Sequence, residues 1–203
     1  IVLADHGDGM GSHRMVTKQV SFYEEMTNVP FIIAGPGIHP RQKPVEDLLT
    51  QPTIDLLPTL CELAGIPVPS SKPGISLAPF LKGEKQKRQH PYAASEWHSE
   101  YEVTVSPGRM IRSPRYKYTH YLEGNGEELY DMLKDKGERR NLAHAPKYSK
   151  ILAEHRALLD DYIRRTQDDY RSLKVEADKR WRSHAPGYPN HEGPCARDII
   201  NRK

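Results

Sequence analysis

Residues 1–18 read IVLADHGDGMGSHRMVTK, and the way this stretch is read decides the fold. Ile1–Ala4 is a short apolar run of the kind that forms a buried parallel strand. From Asp5 to Lys18 the chain turns polar, with glycines at 7, 9 and 11, and reads as a loop. Asp5 and His6 thus follow directly on a strand. In open α/β sheets ligands bind outside the carboxyl ends of the strands, so this is a place for functional side chains. A chain that opens inside a strand is expected to start mid-domain, with sheet neighbours upstream.

Working outward, Val29–Ala34 (VPFIIA), closed by GPG, predicts a second buried strand. Thr50–Ala64 predicts a helix with Ile54, Leu57, Leu60, Cys61 and Ala64 on one face, stopped by Gly65 and either kinked by Pro58 or starting near it. Strand, loop, strand, helix points to α/β architecture. After a Pro- and Lys-rich stretch, 66–91, the pattern changes. Tyr92–Trp97, Gly108–Arg112, Arg115–Tyr121 and Glu128–Asp131 read as short strands separated by turn residues, hence an antiparallel sheet. Pro146 opens a helix whose Ile151, Leu152, His155, Leu158, Leu159, Tyr162 and Ile163 recur at helical spacing and should cover one face of that sheet. Residues 173–203 show no periodicity and read as an extended tail.

The 203 residues suffice for a substantial core. No apolar run approaches the roughly 18–20 residues of a membrane span. The net charge of +3 is mild, and no aromatic-interleaved basic motif or zinc-finger spacing points to nucleic acid. Cys61 sits between leucines and reads as core; with Cys195 it makes no disulfide framework.

An Asp–His pair after a strand can give a divalent metal one hard oxygen and one imidazole nitrogen. Glycines would let the backbone turn tightly beside the ion, and His13 and Lys18 could return toward it as a proton donor and a fixed cation. The same residues equally suit a capping Asp and a surface His in a glycine-rich loop. Two ligands do not complete a metal site.

Read as a whole, the chain resembles the sulfatase family of the alkaline-phosphatase-like superfamily. The motifs that carry the resemblance are Asp5-His6-Gly7, Gly11-Ser12-His13, Lys18, Tyr23-Glu24-Glu25 and Val29-Pro30 through Pro36-Gly37. IDLLPT at 54–59, AGIP at 64–67, RMIRSPRYKYTHY at 109–121 and EELYDMLKDKGERRNLA at 127–143 continue it in order. The resemblance implies that residues 1–90 are the C-terminal part of a catalytic α/β domain and 91–172 a small antiparallel-sheet-plus-helix subdomain. It further implies that Asp5 and His6 bind one divalent metal, calcium first, with manganese or zinc as alternatives because of the softer imidazole. Lys18 would contact sulfate and leaving-group oxygens, with His13 close to the substrate. Trp97, His98 and Arg112 are candidates for holding a sulfated sugar, by ring stacking or by charge. The activity implied is hydrolysis of a sulfate ester, on a sulfated small molecule or glycan, in a periplasmic or secreted enzyme.

The family's nucleophile is a formylglycine made from Cys/Ser-x-Pro-x-Arg. Ser106-Pro107-Gly108-Arg109 and Ser113-Pro114-Arg115 have the wrong spacing, and no other stretch matches. The expectation is therefore a chain that needs an N-terminal half as its partner and is inactive alone. Two rivals follow: a phosphonate or phosphodiester hydrolase of the same superfamily, and a non-catalytic truncated chain that binds sulfated glycans through Lys82–Arg88 and the tail.

Overall fold

The computed structural model describes residues 1–15, 21–41, 43–45, 48–70, 73–86, 89–98, 107–122 and 126–173. The tail expected over 173–203 lies, from 174 onward, outside these residues, as does Lys18. The organising element is a four-stranded antiparallel meander: β3 (Ala93–Trp97), β4 (Gly108–Arg112), β5 (Tyr116–Tyr121) and β6 (Gly126–Asp131), in that spatial order. For these strands the elements expected from sequence and those observed agree to within a residue or two.

Because side chains alternate across a strand, the register sorts the sheet into two faces. Ala94, Ile111, Tyr118 and Leu129 lie side by side across the four strands. They pack with Leu152 and Leu159 of helix α4 (Ser149–Thr166), as the helical spacing predicts. After α4, Arg109 donates to both Asp168 oxygens at 2.7 and 2.9 Å and lies over the Tyr170 ring at 4.4 Å, tying the end of the helix to β4. That guanidinium lies on the same face of the sheet as α4.

The opposite face is covered by residues of the first half of the chain. Trp97, Gly108 and Tyr121 stand opposite one another, and the missing side chain at 108 makes room for the Phe22 ring; a Cβ there would lie 2.6 Å from Phe22. Met15, Tyr23 and Met26 of the 15–26 region, the last within helix α1 (Glu24–Thr27), pack on Tyr130 and Met132. The two parts of the chain therefore share a core across the sheet.

Two expectations are corrected. Val2–Leu3 (β1) and Phe31–Ile32 (β2) do pair, but antiparallel and over two residues each, not as buried parallel strands. Val2 and Ile32 are 60% and 57% exposed, because nothing among the described residues covers their faces. Helix α2 (Pro52–Leu63) forms where expected, and Pro58 lies within it. Its buried face, however, carries Asp55, Pro58 and Thr59, while Leu57 and Leu60 are exposed. The reason is polar: α2 packs on helix α3 (Ala78–Leu81) and the segment before it, whose backbone N–H groups need acceptors. Asp55 accepts from Ile75 at 2.8 Å, and Thr59 Oγ1 accepts from Leu77 at 2.9 Å. Pro58 cannot donate to the Ile54 carbonyl, and Gly74, at φ 111°, approaches that carbonyl so closely that a Cβ would lie 2.1 Å from its oxygen.

Candidate functional site

The loop after β1 is held by a single turn of helix. Gly7 N–H donates to the Met26 carbonyl at 2.9 Å, and Ser12 donates its hydroxyl to Glu25. Within the loop Gly11 N–H donates to Met15 and Met15 N–H to Ser12. A Cβ at Gly7 would sit 1.7 Å from the Glu25 carbonyl oxygen, so the close approach of loop and helix requires glycine. Met10, His13 and Arg14 all adopt left-handed backbone, at φ 45°, 49° and 62°. Each such non-glycine residue costs on the order of 1–3 kcal/mol, and clusters of them mark functional loops.

Asp5 and His6 stand at the mouth of this loop. Asp5 is 88% exposed, and its Oδ2 lies 3.7 Å from His6 Nε2. His6 Nδ1 donates to the Gly7 carbonyl at 2.8 Å, so that in the neutral ring the lone pair is on Nε2, the side of the carboxylate. This tautomer is what a metal-binding imidazole needs. The two side chains fit one side of a divalent ion, and among the described residues no group of three His, Cys, Asp or Glu side chains completes a site.

His13 is held differently. Its ring stacks on Tyr23, centroids 3.7 Å apart and planes within 2°, and Nε2 lies 3.9 Å from Glu25 Oε2. Burial lowers its pKa; Arg139 and Lys117 act in the same direction, against the pull of Glu25. The imidazole is therefore neutral at pH 7 and offers one N–H and one lone pair, which suits hydrogen bonding or proton acceptance better than proton donation. Burial works against ionisation of Glu25, but the Ser12 hydroxyl and its own backbone N–H leave its carboxyl below the usual range.

The other candidates divide between the two faces of the sheet. Arg112 lies on the face that carries α1, its Nε 3.9 Å from Glu24 Oε1 and its Nη1 donating to the Ser113 carbonyl. Trp97 shares that face and packs on Phe22, Met110 and Tyr121, so it fills the interface between sheet and loop segment rather than that between sheet and α4. His98 is one position further on, exposed, and interacts electrostatically with Asp168 on the other side. It is not brought to the His13 group.

Residues 11–165 match the C-terminal domain of the N-sulphoglucosamine sulphohydrolase family. The chain belongs to the sulfatase family. This sulfatase chain is 75% identical over all 203 residues to the Δ4,5-hexuronate-2-O-sulfatase of Bacteroides thetaiotaomicron, covering 42% of that protein. A solved structure of a 2-O GAG sulfatase superposes with a TM-score of 0.86 at 77% identity, over 97% of this chain and 42% of the other. A phosphonate monoester hydrolase from Silicibacter pomeroyi gives 0.70 at 28% identity, over 85% of this chain and 36% of its own. The chain thus spans about two fifths of the length of these sulfatase relatives. Its fold is α/β, of the alkaline-phosphatase-like kind that these neighbours share.

Sequence reasoning missed the residues that hold His13. Tyr23 and Glu25 lie ten and twelve positions away in a segment quoted only for its resemblance, and a Tyr-Glu-Glu run carries no sign of a stacking platform. Lys117 and Glu138 likewise lie in stretches quoted only for their resemblance. A lysine in an alternating strand is read as solvated, yet Lys117 is 1% exposed.

Proposed function

We propose that this chain serves a sulfuric ester hydrolase acting on a sulfated, acidic sugar, of which a 2-O-sulfated unsaturated hexuronate is the specific candidate. The observation that carries this reading is the 75% identity, through the whole chain, to a hexuronate-2-O-sulfatase. Asp5 and His6 would hold one face of a divalent metal, calcium in preference to manganese or zinc, which when bound supplies Lewis acidity toward sulfuryl oxygens. Lys18 would contribute a fixed positive charge to the oxygens that gain charge as the S–O bond breaks. His13, neutral and stacked, hydrogen-bonds the substrate beside it. Arg112 faces the same side and is suited to an anionic group on the sugar.

The nucleophile is not among these residues, since no Cys/Ser-x-Pro-x-Arg occurs in the 203. A formylglycine would come from the part of the enzyme that corresponds to the remaining length of the relatives, and these residues alone should not turn over. A periplasmic or secreted location fits such an enzyme.

The test uses the full-length protein and measures sulfate release from a 2-O-sulfated Δ4,5-hexuronate disaccharide, with a phosphonate monoester in parallel. Release from the disaccharide, abolished by a chelator and restored by one divalent ion, is the expected result. Hydrolysis of the phosphonate alone would transfer the protein to the neighbouring activity. Full activity after exhaustive chelation would overturn the role given to Asp5 and His6.

A further inference from the structure

We propose that Lys117 and Glu138 are positioning residues of this site: from the sheet they fix the backbone on both sides of Tyr23, and with it the ring on which His13 lies. Lys117 Nζ donates to the Phe22 carbonyl at 2.8 Å and lies 2.6 Å from Glu24 Oε1 and 2.9 Å from Glu138 Oε1. Glu138 Oε2 accepts the Glu24 backbone N–H at 2.7 Å. The peptide before Tyr23 is thus gripped by the lysine and the peptide after it by the glutamate. Residues 22 and 24 meet the sheet through these contacts, and the Tyr23 ring, which also packs on Tyr130 and Met132, stacks on His13; Glu25 lies 3.9 Å from His13 Nε2.

Both partners reach this segment from far along the chain, across 95 and 114 residues, and both side chains are only 1% exposed. Glu138 does so from a left-handed backbone, at φ 49°. Arg112, opposite Lys117 on β4, adds a second cation near Glu24. Burying such ions is costly, and an apolar pair of similar volume often stabilises a fold as well. An apolar pair, however, could not hold one carbonyl and one N–H at fixed places. The charged pair makes sense as a device that sets an orientation, which is where sub-ångström placement matters for rate.

This inference deepens the sulfatase reading through His13, and its test has one arm independent of activity. In the full-length protein, Lys117→Met and Glu138→Gln are compared with wild type by diethyl pyrocarbonate labelling, mapped by peptide mass spectrometry. His13 should label several-fold faster in both variants, with the exposed His39 and His144 unchanged. On a sulfate ester, kcat should fall about 10- to 100-fold with little change in KM. Added to His13→Ala, Lys117→Met should cost little more, since residues acting through one another are not additive. An unchanged His13 labelling rate in a folded variant, or losses that simply add to those of His13→Ala, would overturn the proposal. Glu138→Gln keeps the volume and one accepting oxygen, and decides the matter if Lys117→Met does not fold. A wild-type protein with no sulfate-ester activity would strike the functional reading alone, leaving the labelling to decide the positioning role.

Discussion

Replacing Asp55 by alanine should loosen the first half of the chain more than any single apolar truncation in helix α2. The carboxylate is fully buried and accepts three hydrogen bonds: from the Gln51 N–H at 2.7 Å, the Ile75 N–H at 2.8 Å and His90 Nε2 at 2.7 Å. It therefore joins the start of α2, the segment that leads to α3 and the approach to β3. Its removal orphans two backbone donors and an imidazole. At about 1–3 kcal/mol per orphaned buried group, the loss is about 3–9 kcal/mol if each stays unpaired, and falls toward the lower figure if water enters the space. Asparagine keeps the shape and one accepting oxygen but sets an amide N–H₂ against a backbone N–H, so Asp55→Asn should lose about 1–3 kcal/mol. Leu57→Ala and Leu60→Ala, at side chains 44% and 41% exposed, should cost less than either among the contacts described. The assay is denaturant unfolding of the full-length protein with hydrogen exchange at Gln51 and Ile75, whose amides should lose protection first. An Asp55→Ala variant within 1 kcal/mol of wild type, with both amides still protected, would refute the reasoning.

Two further outcomes follow from the structure. His155 is buried, donates from Nδ1 to the Ile151 carbonyl at 2.8 Å, has Nε2 2.9 Å from Ser113 Oγ, and has a pKa lowered chiefly by burial. A lowered folded pKa means that the unfolded chain takes up the proton first. Its contribution is complete above about pH 6.5 and is lost as pH falls from there through the folded pKa, at up to about 1.4 kcal/mol per pH unit. His155→Phe should flatten that limb of a stability-against-pH curve; an unaltered slope would count against the assignment. At Gly7, a Cβ would meet the Glu25 carbonyl at 1.7 Å, so Gly7→Ala should cost about 1–3 kcal/mol and disturb both the Asp5–His6 pair and the His13 shelf. Gly35→Ala, where nothing lies within 4 Å, is the matched control and should be neutral in a melting experiment; equal melting temperatures for the two would contradict the packing described.

The sequence by itself determined the elements whose packing is local and periodic. The four strands from Ala93 to Asp131 alternate, their turns carry turn residues, and α4 shows its stripe from Ile151 to Ile163, so short-range sterics and hydrophobic period sufficed. Asp5, His6 and His13 stand out in the sequence as candidates, because chemically demanding residues crowd one glycine-rich loop behind a strand, and the motifs resemble a known family. Tertiary structure alone decided which faces are buried and what holds the loop in place. The apolar residues of α2 were read as its inner face, yet the structure turns Asp55 and Thr59 inward because neighbouring backbone donors need acceptors there. That demand is set by a segment twenty residues away and leaves no periodic trace in α2 itself. The same holds for His13, whose stacking on Tyr23 depends on Lys117 and Glu138. A lone buried lysine and a lone buried glutamate look like surface residues in a sequence, and only the pairing of β5 beneath α1 makes them partners.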